Sequence, residues 1–257
     1  MKTIIANWKM NVGTRESVAL ARGVLLALRG RKVVPQVVVC PPAVALGEVR
    51  KVVAHSHVSL GAQNMHWEEQ GAFTGEISPR MLVELGVSHI IIGHSERRAY
   101  FGETDETVNK KLVSALANGL IPIVCVGETS EERAEGSAKE MVARQLSAAF
   151  AGTRIRQANA VNIAYEPVWA IGTGNAATPA DAVDMHAFIR GQMKALGAAA
   201  LPILYGGSAD AANAHGFLRE AEVDGLLVGS ASVKLNQFTD IVAAASDVLE
   251  GLSASHP

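Results

Sequence analysis

The chain has few of the residues that would mark a specialised class of protein. Only two of its 257 residues are cysteines, Cys40 and Cys125, and neither has the CxxC spacing of a metal or redox site. No apolar run reaches the roughly 18 residues that a membrane helix needs. No Asn-x-Ser/Thr acceptor for glycosylation occurs. With no run of Lys or Arg and a net charge of −2, the sequence argues against a nucleic-acid-binding surface.

The composition that remains is that of a globular α/β protein. Hydrophobic residues make up 49% of the chain and charged residues 19%, a balance that supports a large buried core. We expect residues 1–257 to form one domain, because α/β barrels of this size commonly do so. The N-terminal MKTIIANWKM is too short and polar for a signal peptide. We therefore expect a cytoplasmic protein with two reduced, buried thiols.

Short apolar runs, rich in β-branched residues, predict eight strands along the chain. They alternate little with polar residues, as expected for parallel strands that are covered on both faces. The predicted strands are Thr3–Ala6, Gln36–Cys40, Val58–Ala62, His89–Gly93, Ile121–Val126, Val161–Tyr165, Ile203–Tyr205 and Leu226–Gly229.

Segments with helical spacing separate these strands. The clearest are Arg15–Leu28, Thr104–Ala117, Ser130–Phe150, Pro179–Leu196 and Ser232–Leu249. Strict alternation of strands and helices gives either an open doubly wound sheet or a closed barrel. Eight equal units without a topological break favour a (β/α)8 barrel, in which eight parallel strands carry an outer ring of helices. A Rossmann-like open sheet is the alternative.

Polar and charged residues cluster where the predicted strands end. Asn7 and Lys9 follow the first strand, Glu166 follows the sixth, and the fourth is followed by His94, Ser95 and Glu96. The carboxyl ends of all strands meet on one face of a barrel, where barrel enzymes have their active sites. A carboxylate, an imidazole and an ammonium on one face suit proton transfer with charge stabilisation, although each alone could be an ordinary core or surface residue.

Glycine-rich segments follow the last two strands, Gly206-Gly207-Ser208 and Gly229-Ser230. Backbone N–H groups at such turns, with helices predicted just beyond, bind phosphate in many barrels. The alternative is that the glycines only permit tight turns. The GxGxxA sequence over residues 172–177 does not directly follow a strand and has no acid about 20 residues further on, so it does not predict dinucleotide binding.

Five segments of the chain closely resemble the triosephosphate isomerase family: Ala6–Asn11, Gly71–Ser78, Ile91–Arg98, Ala164–Gly174 and Tyr205–Ser208. The resemblance implies a (β/α)8 TIM barrel that interconverts dihydroxyacetone phosphate and D-glyceraldehyde 3-phosphate without a cofactor or a metal. It implies that Glu166 is the base and that His94 polarises the carbonyl as a neutral imidazole. It also implies that Asn7 and Lys9 hold the enediolate, with Lys9 paired to Glu96.

The resemblance assigns further roles around the substrate phosphate. Ser95 would hold Glu166 in the unliganded protein, and Ser208, Gly229 and Ser230 would bind the phosphate. A lid would close over it, with Gly172 donating its N–H; this lid consists of Pro167, Val168, Trp169, Ala170, Ile171, Gly172, Thr173, Gly174, Asn175, Ala176 and Ala177. A homodimer is implied, in which a loop containing Gln63, Asn64, Thr74, Gly75 and Glu76 enters the neighbouring subunit near Lys9.

The sequence departs from the family pattern at two places. Ser230 stands where the family usually has a second glycine, and the lid ends in Asn175-Ala176-Ala177, where a Lys or Arg is common. Two other functions stay open at this point: a Schiff-base aldolase of phosphorylated sugars, which needs a lysine on a central strand, and a barrel that binds without catalysis.

Overall fold

A computed structural model describes residues 1–155, 157, 160–171, 177–198 and 200–254 of the chain. Parallel strands form a closed barrel in the order of the sequence, and Thr3 pairs with both Gln36 and Gly225 where the barrel closes. The eight strands are β1 (Thr3–Asn7), β2 (Gln36–Cys40), β3 (Val58–Ala62), β4 (His89–Ile92), β5 (Ile121–Val126), β6 (Asn162–Tyr165), β7 (Ile203–Tyr205) and β8 (Gly225–Val228). The predicted barrel is confirmed, and the open sheet is wrong.

Helices follow the strands and cover the outside of the barrel. They are α1 (Thr14–Leu28), α2 (Leu46–Val53), α3 (Pro79–Glu84), α4 (Ser95–Tyr100), α5 (Asp105–Ala117), α6 (Ser130–Ala134), α7 (Ala138–Ala149), α8 (Pro179–Ala195), α9 (Ala214–Leu218) and α10 (Leu235–Ala254). Short 3-10 helices span Ala43–Ala45, Val168–Ala170 and Ser230–Val233. Among the helices described, none is long and apolar enough to span a membrane.

Two predicted helices need correction. The single helix expected over Ser130–Phe150 is two helices, α6 and α7, because Gly136 adopts a left-handed conformation (φ +75°) that ends the first. The helix expected over Ser232–Leu249 is a 3-10 turn followed by α10, which continues to Ala254. Both sequences have helical composition, which does not reveal where the backbone changes direction.

Successive side chains of a β-strand point to opposite faces of the sheet, so every second residue points toward the barrel axis. One set of side chains points inward and forms a core of its own, made of Ile5, Val38, Cys40, Ile91, Ile123, Cys125, Ala164, Leu204 and Leu227. The other set packs under the helices. Two residues beyond the inward Ile5 and Ala164 come Asn7 and Glu166. Strand alternation therefore directs both polar side chains toward the barrel axis at its carboxyl end.

Candidate active site

A cavity of about 640 Å³ opens at the carboxyl end of the barrel. The predicted catalytic and supporting residues that line it are Asn7, Lys9, His94, Ser95, Glu96 and Glu166. The predicted phosphate-binding residues Ser208, Gly229 and Ser230 line it as well, as do Val168 and Ile171 from the beginning of the predicted lid. Residues 172–176, which include Gly172, Thr173, Gly174, Asn175 and Ala176, lie outside the described residues. Residues far apart in sequence thus surround one cavity.

The buried carboxylate of Glu166 contacts both His94 and Ser95. Its Oε1 lies 3.0 Å from Nε2 of His94, and its Oε2 accepts a hydrogen bond of 2.8 Å from the backbone N–H of Ser95. Both side chains are almost fully shielded from solvent, 7% exposed for His94 and 3% for Glu166. A glycine at position 206 is needed here, because a Cβ atom would lie 2.9 Å from Cγ of Glu166.

The backbone fixes the hydrogen-bonding role of one ring nitrogen of His94. Its Nδ1 accepts a hydrogen bond of 3.2 Å from the backbone N–H of Glu96, so in this arrangement Nδ1 carries no proton. The proton of the neutral ring is then on Nε2, the atom that faces Glu166. His94 also caps the N-terminus of α4, which fixes the orientation of the ring. The ring can therefore act as a neutral hydrogen-bond donor toward the cavity.

Lys9 is held in an uncommon backbone conformation, with φ at +49°. Its N–H donates to Oδ1 of Asn7 (3.1 Å), and its carbonyl accepts from Nε2 of Gln63 (2.9 Å), so side chains at the ends of β1 and β3 fix the turn. The ammonium forms a 2.6 Å ion pair with Glu96, as expected from the sequence resemblance. Gly229 leaves room for this side chain, since a Cβ there would lie 3.3 Å from Cε of Lys9, closer than ordinary van der Waals contact.

The structure adds a residue that the sequence reasoning missed, Glu128. Its fully buried carboxylate accepts hydrogen bonds from Tyr165 (3.0 Å) and from the indole N–H of Trp169 (2.8 Å), and its carbonyl accepts from the N–H of Val168. Burial and the Glu128 charge raise the pKa of Tyr165, so this phenol stays protonated. Glu128 follows β5 at the carboxyl end, where a search for polar residues after strands would have found it.

A second missed residue, Glu103, fixes the peptide in front of His94. Its buried carboxylate accepts from the N–H of Gly93 (2.6 Å), from Arg97 (2.7 Å) and from Lys111 (2.6 Å). Burial alone would raise the pKa of Glu103, but the Lys111 charge and these hydrogen bonds outweigh burial and lower it. Gly93 has a φ of +72°, which favours glycine at this bend.

The two glycine-rich segments lead into different structures. Beyond Gly229 the 3-10 helix begins at Ser230, as expected, and Ser232 donates to the carbonyl of Gly229 through its N–H and its hydroxyl. Beyond Ser208, however, α9 begins only at Ala214, so the expectation of a helix directly after this segment is wrong. The hydroxyl of Ser208 donates instead to the carbonyl of Ala170 (2.6 Å) and ties the segment to the first part of the lid.

The predicted dimer loop has an ordered base and an exposed tip. Gln63 reaches the carbonyls of Lys9 and Cys40, and Asn64 accepts from Lys111 (2.7 Å). Thr74, Gly75 and Glu76 lie in an exposed stretch over residues 68–76. Within the loop, the ring of His66 packs between those of Trp67 and Phe73, at centroid distances of 4.1 and 4.4 Å.

No group of three or more His, Cys, Asp or Glu side chains within the described ranges is arranged to hold a metal ion.

A closed parallel barrel with a buried carboxylate–imidazole pair and a lysine in one cavity defines an α/β-barrel enzyme equipped for acid–base chemistry on a small substrate. The sequence model of the family described as triosephosphate isomerase matches residues 2–245. The chain belongs to this family.

Similar proteins cover nearly the same length. A triosephosphate isomerase from Herpetosiphon aurantiacus is 50% identical over 246 residues, which cover 93% of this chain and 97% of that protein. The triosephosphate isomerase of Carboxydothermus hydrogenoformans is 48% identical (93% and 96% covered), and that of Chloroflexus aurantiacus is 49% identical (93% and 97% covered). The resemblance stated from five short segments thus extends along the chain.

Proposed function

We propose that this protein interconverts dihydroxyacetone phosphate and D-glyceraldehyde 3-phosphate by proton transfer through an enediolate, in glycolysis and gluconeogenesis. The observation that carries the proposal is the 3.0 Å contact between Glu166 and Nε2 of His94 in a cavity that also contains Lys9. Aldehyde and ketone have the same oxidation level, so the reaction needs no redox cofactor. The expectation that no cofactor or metal takes part remains a prediction.

Each group has a role that its position supports. Glu166 removes the proton from C1 and returns it at C2, since one carboxylate can reach two adjacent carbons. His94 donates the Nε2 proton toward the substrate oxygen as a neutral acid, and Lys9 stabilises the negative charge that develops there, assisted by Asn7. The backbone N–H of Ser95 holds Glu166 in the unliganded arrangement, and Glu96 orients Lys9.

Residues at the last two strands bind the phosphate in this proposal. Ser208, Gly229 and Ser230 line the same cavity as the acid–base groups, and Gly172 would donate its N–H from the lid, 167–177. An enediolate phosphate loses phosphate readily in water, so a lid that excludes water protects the intermediate. The anchoring of Val168 and Trp169 by Glu128 and of Ala170 by Ser208 supports a fixed first hinge for such a lid.

We extend the proposal to a homodimer in the cytoplasm. Large apolar side chains are exposed in the segments that follow β1, β2 and β4, among them Met10 (96% exposed), Val44 (80%), Tyr100 (77%) and Phe101 (67%). Their exposure is unfavourable in water and fits a surface that a second copy covers. The two buried thiols fit a reducing compartment. Sedimentation equilibrium tests the dimer, and a mass of one chain at micromolar concentration would contradict it.

The activity is tested by supplying D-glyceraldehyde 3-phosphate to the purified protein and following dihydroxyacetone phosphate with a coupled dehydrogenase. Turnover supports the isomerase, and its absence in a folded sample refutes the proposal. Borohydride added with substrate separates the aldolase alternative, because only a Schiff base would be trapped covalently on a lysine. Strand β6 leads into Glu166 and not into a lysine, which argues against that alternative.

A further inference from the structure

Gln145 is a buried residue of α7 whose side-chain amide bonds to the backbone of a single residue, Gly127. Its Oε1 accepts from the N–H of Gly127 (2.8 Å), and its Nε2 donates to the carbonyl of the same residue (3.0 Å). A side-chain amide is suited to this task because it has a donor and an acceptor in one plane. We call this pair of hydrogen bonds the Gln145–Gly127 clamp.

Gly127 belongs to a stretch of backbone that contacts the segment of the proposed base, Glu166. The preceding residue, Val126, accepts a hydrogen bond of 2.8 Å from the N–H of Glu166, and the following residue, Glu128, accepts one of 3.1 Å from Val168. A Cβ atom on Gly127 would lie 1.7 Å from the carbonyl oxygen of Glu166, so glycine is required for the two chains to approach this closely. A shift of Gly127 would therefore displace the backbone of Glu166 with it.

The clamp takes the place of a neighbouring strand. The N–H and the carbonyl of Gly127 point away from the segment of Glu166, because alternate residues of a parallel strand bond to opposite neighbours. On that side the strand β4 has already ended, since its last pair with β5 is Ile92 with Val124. Gln145 thus satisfies two backbone groups for which the sheet offers no partner.

Packing around Gly127 is incomplete. A second cavity, of about 310 Å³, also borders Glu166, and Gly127, Gln145 and Val168 are among the residues that line it. Atoms beside a cavity lack contacts on one side, so packing restrains them less than it restrains atoms in a close-packed core. Without the clamp, Gly127 and the backbone of Glu166 have room to move.

We propose that Gln145 is a positioning residue for the reaction, which acts through Gly127 to fix the backbone of Glu166. The carboxylate of Glu166 is thereby held where it can reach the reacting carbons. Gln145 itself touches neither the substrate nor the reacting atoms. This inference rests on the proposed isomerase function.

Gln145→Met tests the clamp, because methionine has a similar length and shape but lacks the amide donor and acceptor. We expect kcat to fall about 10- to 100-fold, since a displacement of about 1 Å can cost about 10²-fold in rate. KM should stay within about two-fold of the wild type, because the interaction that is lost acts on the chemical step. The primary isotope effect on kcat with dihydroxyacetone phosphate deuterated at C1 should increase, because proton removal by Glu166 becomes slower relative to the other steps.

Gln145→Glu is the second variant and covers the case in which Gln145→Met does not fold. Its carboxylate keeps an acceptor for the N–H of Gly127 but cannot donate to the carbonyl. We expect the same direction of change, with a fall in kcat of about 10-fold or more and an increased isotope effect.

A double variant with Glu166→Asp shows whether Gln145 acts through the base. If it does, the combined loss in kcat should be smaller than the product of the two single losses, because both substitutions misplace the same carboxylate. Losses that multiply would show that Gln145 acts independently of Glu166, and they would overturn the inference.

Asn109→Leu is the matched control, since it also removes a side-chain amide that bonds to the backbone. Nδ2 of Asn109 donates to the carbonyls of Ala149 (2.7 Å) and Ala151 (3.0 Å), and Asn109 is not among the described residues that line either cavity beside Glu166. Its melting temperature should fall by a few degrees, about as much as that of Gln145→Met, while its kcat and isotope effect stay at the wild-type values.

The control separates positioning from stability. An equal loss of kcat in Asn109→Leu and Gln145→Met would assign the effect to lost stability and overturn the inference. So would a folded Gln145→Met with the kcat and the isotope effect of the wild type. An inactive wild type would instead refute the proposed function.

Discussion

The two ends of the barrel contain similar polar residues in very different surroundings. At the carboxyl end, Lys9, His94 and Glu166 border an open cavity. At the amino end, Lys2, His89 and Arg190 are also partly or fully buried, but their hydrogen-bonding groups are occupied by protein partners. A buried charge or imidazole is therefore no sign of function by itself; what distinguishes the active end is a polar group that faces space for a substrate.

The amino end shows how completely such groups can be satisfied. The ammonium of Lys2 donates to the carbonyls of Glu220 and Val223, and Arg190 pairs with Glu222 and Asp224 at 2.9 Å each. Charged residues at this end serve stability, as is typical of the amino-terminal face of these barrels.

His89 lies in a chain of hydrogen bonds across the amino end. Thr3 donates to Gln36, the amide of Gln36 lies 3.4 Å from Nε2 of His89, and Nδ1 of His89 lies 2.8 Å from the hydroxyl of Ser88. Burial lowers the pKa of His89 to about 4, so the ring is neutral near pH 7. His89 is thus a structural histidine, in contrast with His94 at the other end of the strand.

The largest effect in this comparison should come from Lys9→Ala. We expect kcat to fall about 10³-fold or more, because the variant removes the positive charge that stabilises the enediolate. Stability should change by less than about 1 kcal/mol, since the Lys9–Glu96 pair is partly exposed (25% and 41%). Coupled-assay kinetics and thermal unfolding measure the two quantities. A variant that turns over normally would remove Lys9 from the mechanism.

Glu166→Asp should be the next most severe change. It retracts the carboxylate by one methylene group, and a displacement of about 1 Å can cost about 10²-fold in rate, so we expect kcat to fall by about 10²- to 10³-fold. The fold should persist, as judged by circular dichroism. Turnover close to that of the wild type would show that the base is another residue.

At the amino end, the buried histidines should make the free energy of unfolding depend on pH, without affecting the catalytic rate. In the folded protein, burial lowers the pKa of His89 and of His186 from 6.5 to about 4. Between these values the unfolded chain binds more protons, so the free energy of unfolding should decrease as the pH falls from about 6.5 to 4, by up to about 3 kcal/mol per histidine. Urea unfolding at fixed protein concentration measures this slope, and His89→Gln should reduce it. An identical slope in that variant would exclude His89 as a contributor.

The smallest effect should be that of Asp224→Ala. Its carboxylate accepts from Arg190 and from the N–H of Ile203, both at 2.9 Å. Loss of these hydrogen bonds should lower the free energy of unfolding by about 1–3 kcal/mol, while kcat stays within about two-fold of the wild type because the site is at the other end. A large loss of kcat with unchanged stability would contradict the division between the two ends.

Much of the fold could be read from the sequence because its signals are local. Continuous apolar runs gave strand positions within about one residue, and segments with helical spacing gave the bounds of α1, α5 and α8 equally well. The break between α6 and α7 was missed because a single glycine, Gly136, inside a segment of helical composition is compatible both with a continuous helix and with a helix end.

The supporting residues were harder to predict. Glu103 looks like an ordinary acidic residue in the sequence, and Glu128 is marked there only by its position after β5. The burial of their carboxylates, 2% and 0% exposed, identifies them as fixed partners of the peptide before His94 and of the lid. Their hydrogen-bond partners Lys111 and Trp169 lie up to 41 residues away along the chain.

By itself the sequence determined the strand–helix alternation, the residue types available for acid–base chemistry and the family to which the chain belongs. These follow from local propensity, from hydrophobic period and from contiguous motifs. Only the tertiary structure decided that Lys9, Glu96 and Glu166 face one cavity while Lys2, His89 and Arg190 are sealed at the other end. The physical reason is that closure of the barrel brings distant strand ends together. Whether a polar group is fully hydrogen-bonded within the protein or faces the cavity therefore depends on residues that are distant in the sequence.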